Sequence, residues 1–216
     1  MEKYCISLHR AGVKKKGFSL SPTTLKIPTG YIICLKGANG AGKTTFLRLL
    51  LGREKGVFGE IKILGKTMPA ERVDILQQVG FVSEDNDFFH ELSPLENEAQ
   101  YAPLYSHWDG QLYRKKLKEF GIGFSTKISS LSKGNKVRFQ LAFALAHNPK
   151  ILLMDEPTAG LDPVFRTFLY KLLRELISER EITVIFSTHL SEEIGEVADY
   201  LLEINKGKVS LRENWS

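Results

Sequence analysis

The run GANGAGKTT, Gly37 to Thr45, stands between the apolar stretch YIICLK and the leucine-rich FLRLLLG. Its first eight residues satisfy G-x-x-x-x-G-K-[ST] at every position. An apolar run of six, then glycines, then a helix-like pattern reads as strand, tight loop, helix. Glycines let a backbone close round an anion with its N–H groups turned inward, and the helix that follows offers its positive end. At average glycine usage such a pattern arises by chance about once in a hundred chains of this length. A purely structural turn is the competing reading, and the flanking strand and helix argue against it. The loop therefore reads as a phosphate cradle built from Gly37, Asn39, Gly40, Ala41, Gly42, Lys43, Thr44 and Thr45. Lys43 is expected to reach the β and γ phosphates of a nucleotide, and Thr44 to ligand Mg²⁺.

A cradle of this kind needs an acidic residue at the end of a neighbouring buried strand. ILLMDEP, 151–157, supplies one. Four apolar residues run straight into Asp155 and Glu156, and ionised carboxylates leave water only where something compensates them. Asp155 is expected to hold Mg²⁺, so that the metal offsets its burial. Glu156 is then available to orient and polarise an attacking water. Nucleotide binding needs only the first carboxylate; the second points to hydrolysis.

The rest of the chain sets the frame. Its 216 residues are enough for one large domain with a substantial core, and a quarter of them are charged. Lys and Arg exceed Asp and Glu by five, an excess that favours an anionic ligand or surface without naming one. Lys14-Lys15-Lys16 reads as a solvated turn. Cys5 and Cys34 have neither metal spacing nor a disulfide framework, and Cys34 lies inside an apolar strand, as a buried thiol in reducing cytosol would. MEKYCISLHRAG lacks the continuous apolar stretch of a secretory signal, and LAFALA, 141–146, is too short to span a bilayer.

Strand patterns at 31–36, 59–65, QVGFVSE, 151–154 and 182–187 alternate with helical ones, which predicts a mainly parallel sheet covered on both faces. Residues 93–147 read as mainly helical. Asp162 and Pro163 open a further helix whose Phe165, Phe168, Leu169, Leu172, Leu173, Leu176 and Ile177 share one face. Another helix is expected from Ser191, then a terminal hairpin in YLLEINKGKVSLR.

From about residue 18 to residue 208 the chain resembles the ATP-binding subunits of ABC transporters. GANGAGKTT looks like that family's phosphate loop. LSKGN, 131–135, is similar to the LSGGQ signature. ILLMDEPTAGLD resembles the strand bearing the Mg²⁺ carboxylate and the general base, continuing into the D-loop at Asp162, and STH resembles the switch-histidine motif ending at His189. Singly, each match has an ordinary competitor: Ser132 and Asp162 as helix caps, His189 as an exposed loop residue. Together, in the family's order, they make a specific set.

The resemblance implies an α/β fold of the phosphate-loop NTPase type, with a mainly parallel core sheet, an N-terminal antiparallel β portion and a helical lobe carrying the signature. It divides the single domain into a core lobe, 1–84 with 148–216, and a helical lobe, 85–147. It implies ATP and Mg²⁺ as cofactors, with Thr44, Asp155 and Glu84 about the metal and Lys43, Glu156 and His189 in catalysis. Ser132, Lys133, Gly134 and Asn135 would contact nucleotide held by a second such domain, whether an identical copy or a paralogue. Membrane-spanning subunits would be the other partners, no nucleic acid is expected, and the chain would lie in the cytoplasm on the inner face of the membrane.

Three departures stand out. Glu84 occupies the position where the family usually has Gln, Lys133 and Asn135 replace Gly and Gln of the signature, and no aromatic residue between 8 and 17 is placed to stack on adenine. Phe18 reads as core. The aromatics of 88–113 read mainly as the core of the helical lobe, with a minority exposed; a groove for a membrane subunit's coupling helix is the alternative. A soluble ATPase of the same fold acting on ribosomes or nucleic acid is the other functional reading. No sustained heptad run supports the coiled-coil members of that group, and NKVR at 135–138 lacks the Asp of a guanine reader.

Overall fold

The computed structural model describes residues 3–189, 195 and 197–214. Strands β1 (Tyr4–Lys15), β2 (Phe18–Pro28) and β3 (Ile32–Lys36) lead into helix α1 (Lys43–Leu50). β4 (Val57–Ile63), β5 (Lys66–Met68), the short α2 (Arg72–Leu76) and β6 (Val79–Ser83) follow. A helical stretch then runs through α3 (Pro94–Tyr101), α4 (Gly110–Glu119) and α5 (Lys133–Ala146). The chain closes with β7 (Ile151–Asp155), α6 (Pro163–Arg180), β8 (Thr183–Thr188), β9 (Tyr200–Asn205) and β10 (Lys208–Glu213). The helix expected from Ser191 falls outside the described residues.

Two sheets form. The N-terminal one is antiparallel in the order β2-β1-β4-β5. The other runs β10-β9-β3-β8-β7-β6, parallel throughout except for the edge strand β10, which pairs with β9 as a hairpin. The parallel strands are apolar because both faces are covered. Ile32, Cys34, Leu152, Met154, Val184 and Phe186 join one cluster, with α5 and α6. The alternate residues Ile33, Leu35, Ile151, Leu153 and Ile185 join the other, with α1 and the antiparallel sheet. This is the period of two that a strand imposes.

Helix α6 begins as its sequence predicts: Asp162 caps it, accepting from the Phe165 N–H at 2.9 Å. Phe165, Leu169, Leu172, Leu173 and Leu176 are buried, and Phe168 and Ile177 half-buried. Each fully buried side chain of this size contributes about 1.5–3 kcal/mol. Helix α5 is buried almost all round from Val137 onward, the pattern of a central helix. Lys14, Lys15 and Lys16 are exposed at the β1–β2 turn, where Lys15 pairs with Glu54. Cys5 and Cys34 are buried and form no disulfide.

Of the aromatics in 88–113, Tyr113 is fully buried, and Phe88, Tyr101, Tyr105 and Trp108 are half-buried against the same core. Phe89, 50% exposed, is the exposed minority. The core reading holds for most of these rings. Several of them also wall a groove of about 260 Å³ between the helical stretch and the sheet, reached by Phe88, Tyr101, Leu104, Tyr105 and Phe143.

Candidate active site

Sheet register brings the site residues to one edge. β6 and β7 pair Ser83 with Asp155, and β3 and β8 pair Leu35 with Ser187. The pairing of Met154 with Phe186 just before sets Asp155 beside Ser187. The loops leaving β3, β6, β7 and β8 therefore open together at the carboxyl ends of parallel strands, where open α/β sheets take their ligands.

The loop after β3 turns through Gly40 and Gly42, both at positive φ. Gly42 is irreplaceable on two counts: its φ of +110° disfavours a side chain, and an added Cβ would lie 2.4 Å from Cζ of Phe18. Phe18 is half-buried against the inner core and supports the loop from the antiparallel sheet, so the core reading of that residue stands. No side chain caps α1 and no acid sits in its first turn, which leaves its positive end for an anion. Asn39 and Gly40 are exposed, as is Thr44 in the first turn; Gly37, Ala41 and Thr45 are half-buried.

Lys43 is 5% exposed, and its Nζ donates to the carbonyls of Gly37 at 2.9 Å and Ala38 at 3.4 Å. The same ammonium lies 3.3 Å from Glu156 Oε1, and His189 Nδ1 lies 3.4 Å from Glu156 Oε2. Glu156 thus stands between Lys43 of the loop and His189. Its backbone is left-handed, at φ 46°, a conformation that costs a non-glycine residue about 1–3 kcal/mol.

Ser187 supplies the tie that holds it. The Glu156 N–H donates to Ser187 Oγ at 2.8 Å, and Ser187 Oγ–H donates to Asp155 Oδ1 at 2.6 Å. Sequence reasoning assigned Ser187 no role. The available signal was a hydroxyl inside a strand buried on both faces, since such a group must find a partner. Gln140 was missed for the same reason. It is buried on α5, and its Oε1 accepts from the Ser83 N–H at 2.9 Å, tying the helix to the end of β6.

Ser132 and Asp162 stand apart from this cluster. Ser132 is exposed and caps α5, accepting from the Asn135 N–H at 3.3 Å; Asp162 caps α6. Gly134 faces Phe165, which an added Cβ would meet at 3.3 Å. Lys133 Nζ lies 3.0 Å from Glu84 Oε2, an ion pair within the chain. Glu84, Lys133, Asp155 and Glu156 together border a cavity of about 310 Å³. Thr44, Asp155 and Glu84 are an all-oxygen donor set. Mg²⁺ prefers such a set, binding one or two carboxylates while keeping water and substrate phosphate as its other ligands. The residues present fit that metal.

The family model described as ABC transporter matches residues 20–159. This chain belongs to the ABC transporter family. BcrA, the bacitracin transport ATP-binding protein of Bacillus licheniformis, is 34% identical over 193 residues, which cover 88% of this chain and 63% of that relative. The sulfate/thiosulfate import ATP-binding protein CysA of Synechococcus elongatus is 37% identical over 192 residues, covering 86% of this chain and 55% of CysA. The chain therefore spans between about half and two thirds of the length of these curated relatives. Among solved structures, a post-hydrolysis dimer of the ATP-binding cassette MJ0796, bound to ADP and Pi, superposes with a TM-score of 0.83 at 26% identity. It covers 96% of this chain and 98% of that one. The described residues thus carry the ABC ATPase fold, with the parallel core sheet, the antiparallel β portion and the helical stretch expected from the sequence. No helix among the described residues is long and apolar enough to cross a membrane.

Proposed function

We propose that the chain is the ATP-binding and ATP-hydrolysing subunit of an ABC transporter, acting with separate membrane-spanning subunits. The observation that carries this reading is the place of Glu156, between Lys43 at 3.3 Å and His189 at 3.4 Å and tied through Ser187 to Asp155. Lys43 is neutralised by Glu156 in this arrangement. A γ-phosphate delivered to the loop takes over that role, which frees the Glu156 carboxylate to accept a proton from the attacking water. His189 contacts the same phosphate. Thr44, Asp155 and Glu84 would hold Mg²⁺, which would offset the negative charge of the phosphates. The loop glycines, Asn39, Ala41 and Thr45 wrap the phosphate chain.

Ser132 and Asp162 engage nothing else in the Glu156 cluster, as residues acting on a second copy would not. In the proposed dimer, identical or paralogous, Ser132, Lys133, Gly134 and Asn135 face the nucleotide of the other chain, and Asp162 links the two sites. MJ0796 is a dimer with ADP and Pi bound, which supports this arrangement. Residues 1–84 with 148–216 act as the core lobe and 85–147 as the helical lobe. The aromatic groove between them, lined in part by Leu104, which is 65% exposed, receives an apolar helix of the membrane partner. That partner places the chain in the cytoplasm on the inner face of the membrane. BcrA and CysA are named as transport and import ATP-binding proteins, which favours this reading over a ribosome- or nucleic-acid-acting ATPase.

The test is Glu156→Gln. It is expected to retain ATP affinity within severalfold and to lower turnover by about a hundredfold or more. With ATP added it should scatter light as a dimer, or do so once a paralogue is supplied. Undiminished phosphate release would remove Glu156 as the general base.

A further inference from the structure

The two charged departures from the family pattern meet each other. Lys133 Nζ donates to Glu84 Oε2 at 3.0 Å, joining the first residue of α5 to the residue that follows β6. A cation in the first turn of a helix opposes the helix dipole, and no acid occupies that turn of α5. An acidic partner from outside the helix offsets this, and Glu84 is that partner. The Glu84 carboxylate is also one of three bordering the cavity that holds Asp155 and Glu156. It is thus one group with two claimants, the signature-helix ammonium and the metal position.

The backbone nearby is fixed independently of that choice. The Ser83 N–H is bound by Gln140 of α5, and Asn86 Nδ2 donates to the carbonyls of Ser83 and Glu84 at 3.3 Å. The end of β6 is therefore tied to α5 twice, once by a buried neutral hydrogen bond and once by an ion pair whose side chains are 43% and 80% exposed. Only the exposed tie can exchange partners without unsealing the core.

We propose that Lys133 is a positioning residue that competes with Mg²⁺ for the Glu84 carboxylate. This rests on the nucleotide-binding reading above. Entry of Mg-nucleotide draws Glu84 toward the metal, the Lys133 pair opens, and one of the two ties between the signature helix and the core is released. The freed lysine is then available to the anionic nucleotide of a second domain. A carboxylate in place of the usual Gln and a lysine in place of the usual Gly form one compensated unit, and replacing either alone leaves an unbalanced charge beside the phosphates.

The experiment is calorimetric titration with a non-hydrolysable ATP analogue, with and without Mg²⁺, on four proteins: unmodified, Lys133→Gln, Glu84→Gln and the double variant. The readout is the gain in affinity that Mg²⁺ confers. Lys133→Gln is expected to raise that gain about two- to fivefold, the range that an exposed pair can supply. In the Glu84→Gln background the same change should leave it unaltered, and Lys133→Arg should match the unmodified protein. An equal effect of Lys133→Gln in both backgrounds, or none in either, overturns the competition while leaving nucleotide binding intact. If the unmodified protein binds no nucleotide, the proposed function fails and this inference fails with it.

Discussion

At the scale of single residues, the site depends on how one buried hydroxyl is shared. Ser187 accepts from the Glu156 N–H and donates to Asp155, so a single side chain orients the Asp155 carboxylate and holds Glu156, the proposed general base, in a left-handed backbone conformation. Ser187→Ala removes both bonds without opening a large cavity. A buried polar group stripped of its partner costs about 1–3 kcal/mol. The variant should therefore unfold at lower denaturant concentration by that amount. It should also lose turnover to a greater degree than nucleotide affinity, because the phosphate loop is untouched; denaturant titration and steady-state phosphate release measure the two effects. Equal losses in both would show that Ser187 supports the loop and not the carboxylates.

At the scale of elements, α5 shows what burial does to a titrating group at its end. His147 follows the last turn, 3% exposed and stacked on Tyr105 with ring centroids 4.4 Å apart. Burial pushes its pKa down to about 4, against smaller opposing effects from backbone groups of Val79 and Phe143. Above pH 6.5 the imidazole is neutral whether the chain is folded or unfolded, and it contributes nothing to pH dependence. As pH falls from about 6.5 toward 4, the unfolded chain takes up the proton and the folded one does not. Stability should drop by about 3 kcal/mol across that window and level off below it. Denaturant midpoints against pH should show this slope, and His147→Gln should flatten it.

The same scale shows what the sequence could and could not convey. β3, β7 and β8 are short, apolar and followed at once by Gly37, Glu156 or His189, so local pattern and chemistry agree and the strands are legible. β1 and β2 run 12 and 11 residues, yet their alternation is not. Register shifts around Ala11, with Arg10 at φ 48°, break the period of two within HRAGV. The pairing of Glu84 with Lys133 was equally hidden, since 49 residues separate them and only the packing of α5 against β6 brings them together.

At the scale of the whole molecule, the two hydrophobic clusters meet across the parallel sheet, and the helical stretch leans against one face of it. The groove this leaves is where a membrane partner is expected, and Leu104→Asp tests it. Leu104 is 65% exposed, so the variant should stay folded. A multi-span protein recovered with the unmodified chain from gently solubilised membranes should no longer accompany the variant. Recovery of both to the same extent would place the contact elsewhere. The buried thiols have a use at this scale too. Cys5 and Cys34 are the chain's two cysteines, both enclosed, and burial lifts the Cys5 thiol to about 11, far from the reactive thiolate. The chain is therefore a ready blank for labelling: Phe89→Cys and Val57→Cys, at exposed positions, would carry the only accessible spin or dye probes, and the distance between them, measured with and without nucleotide, would test the proposed division into two lobes.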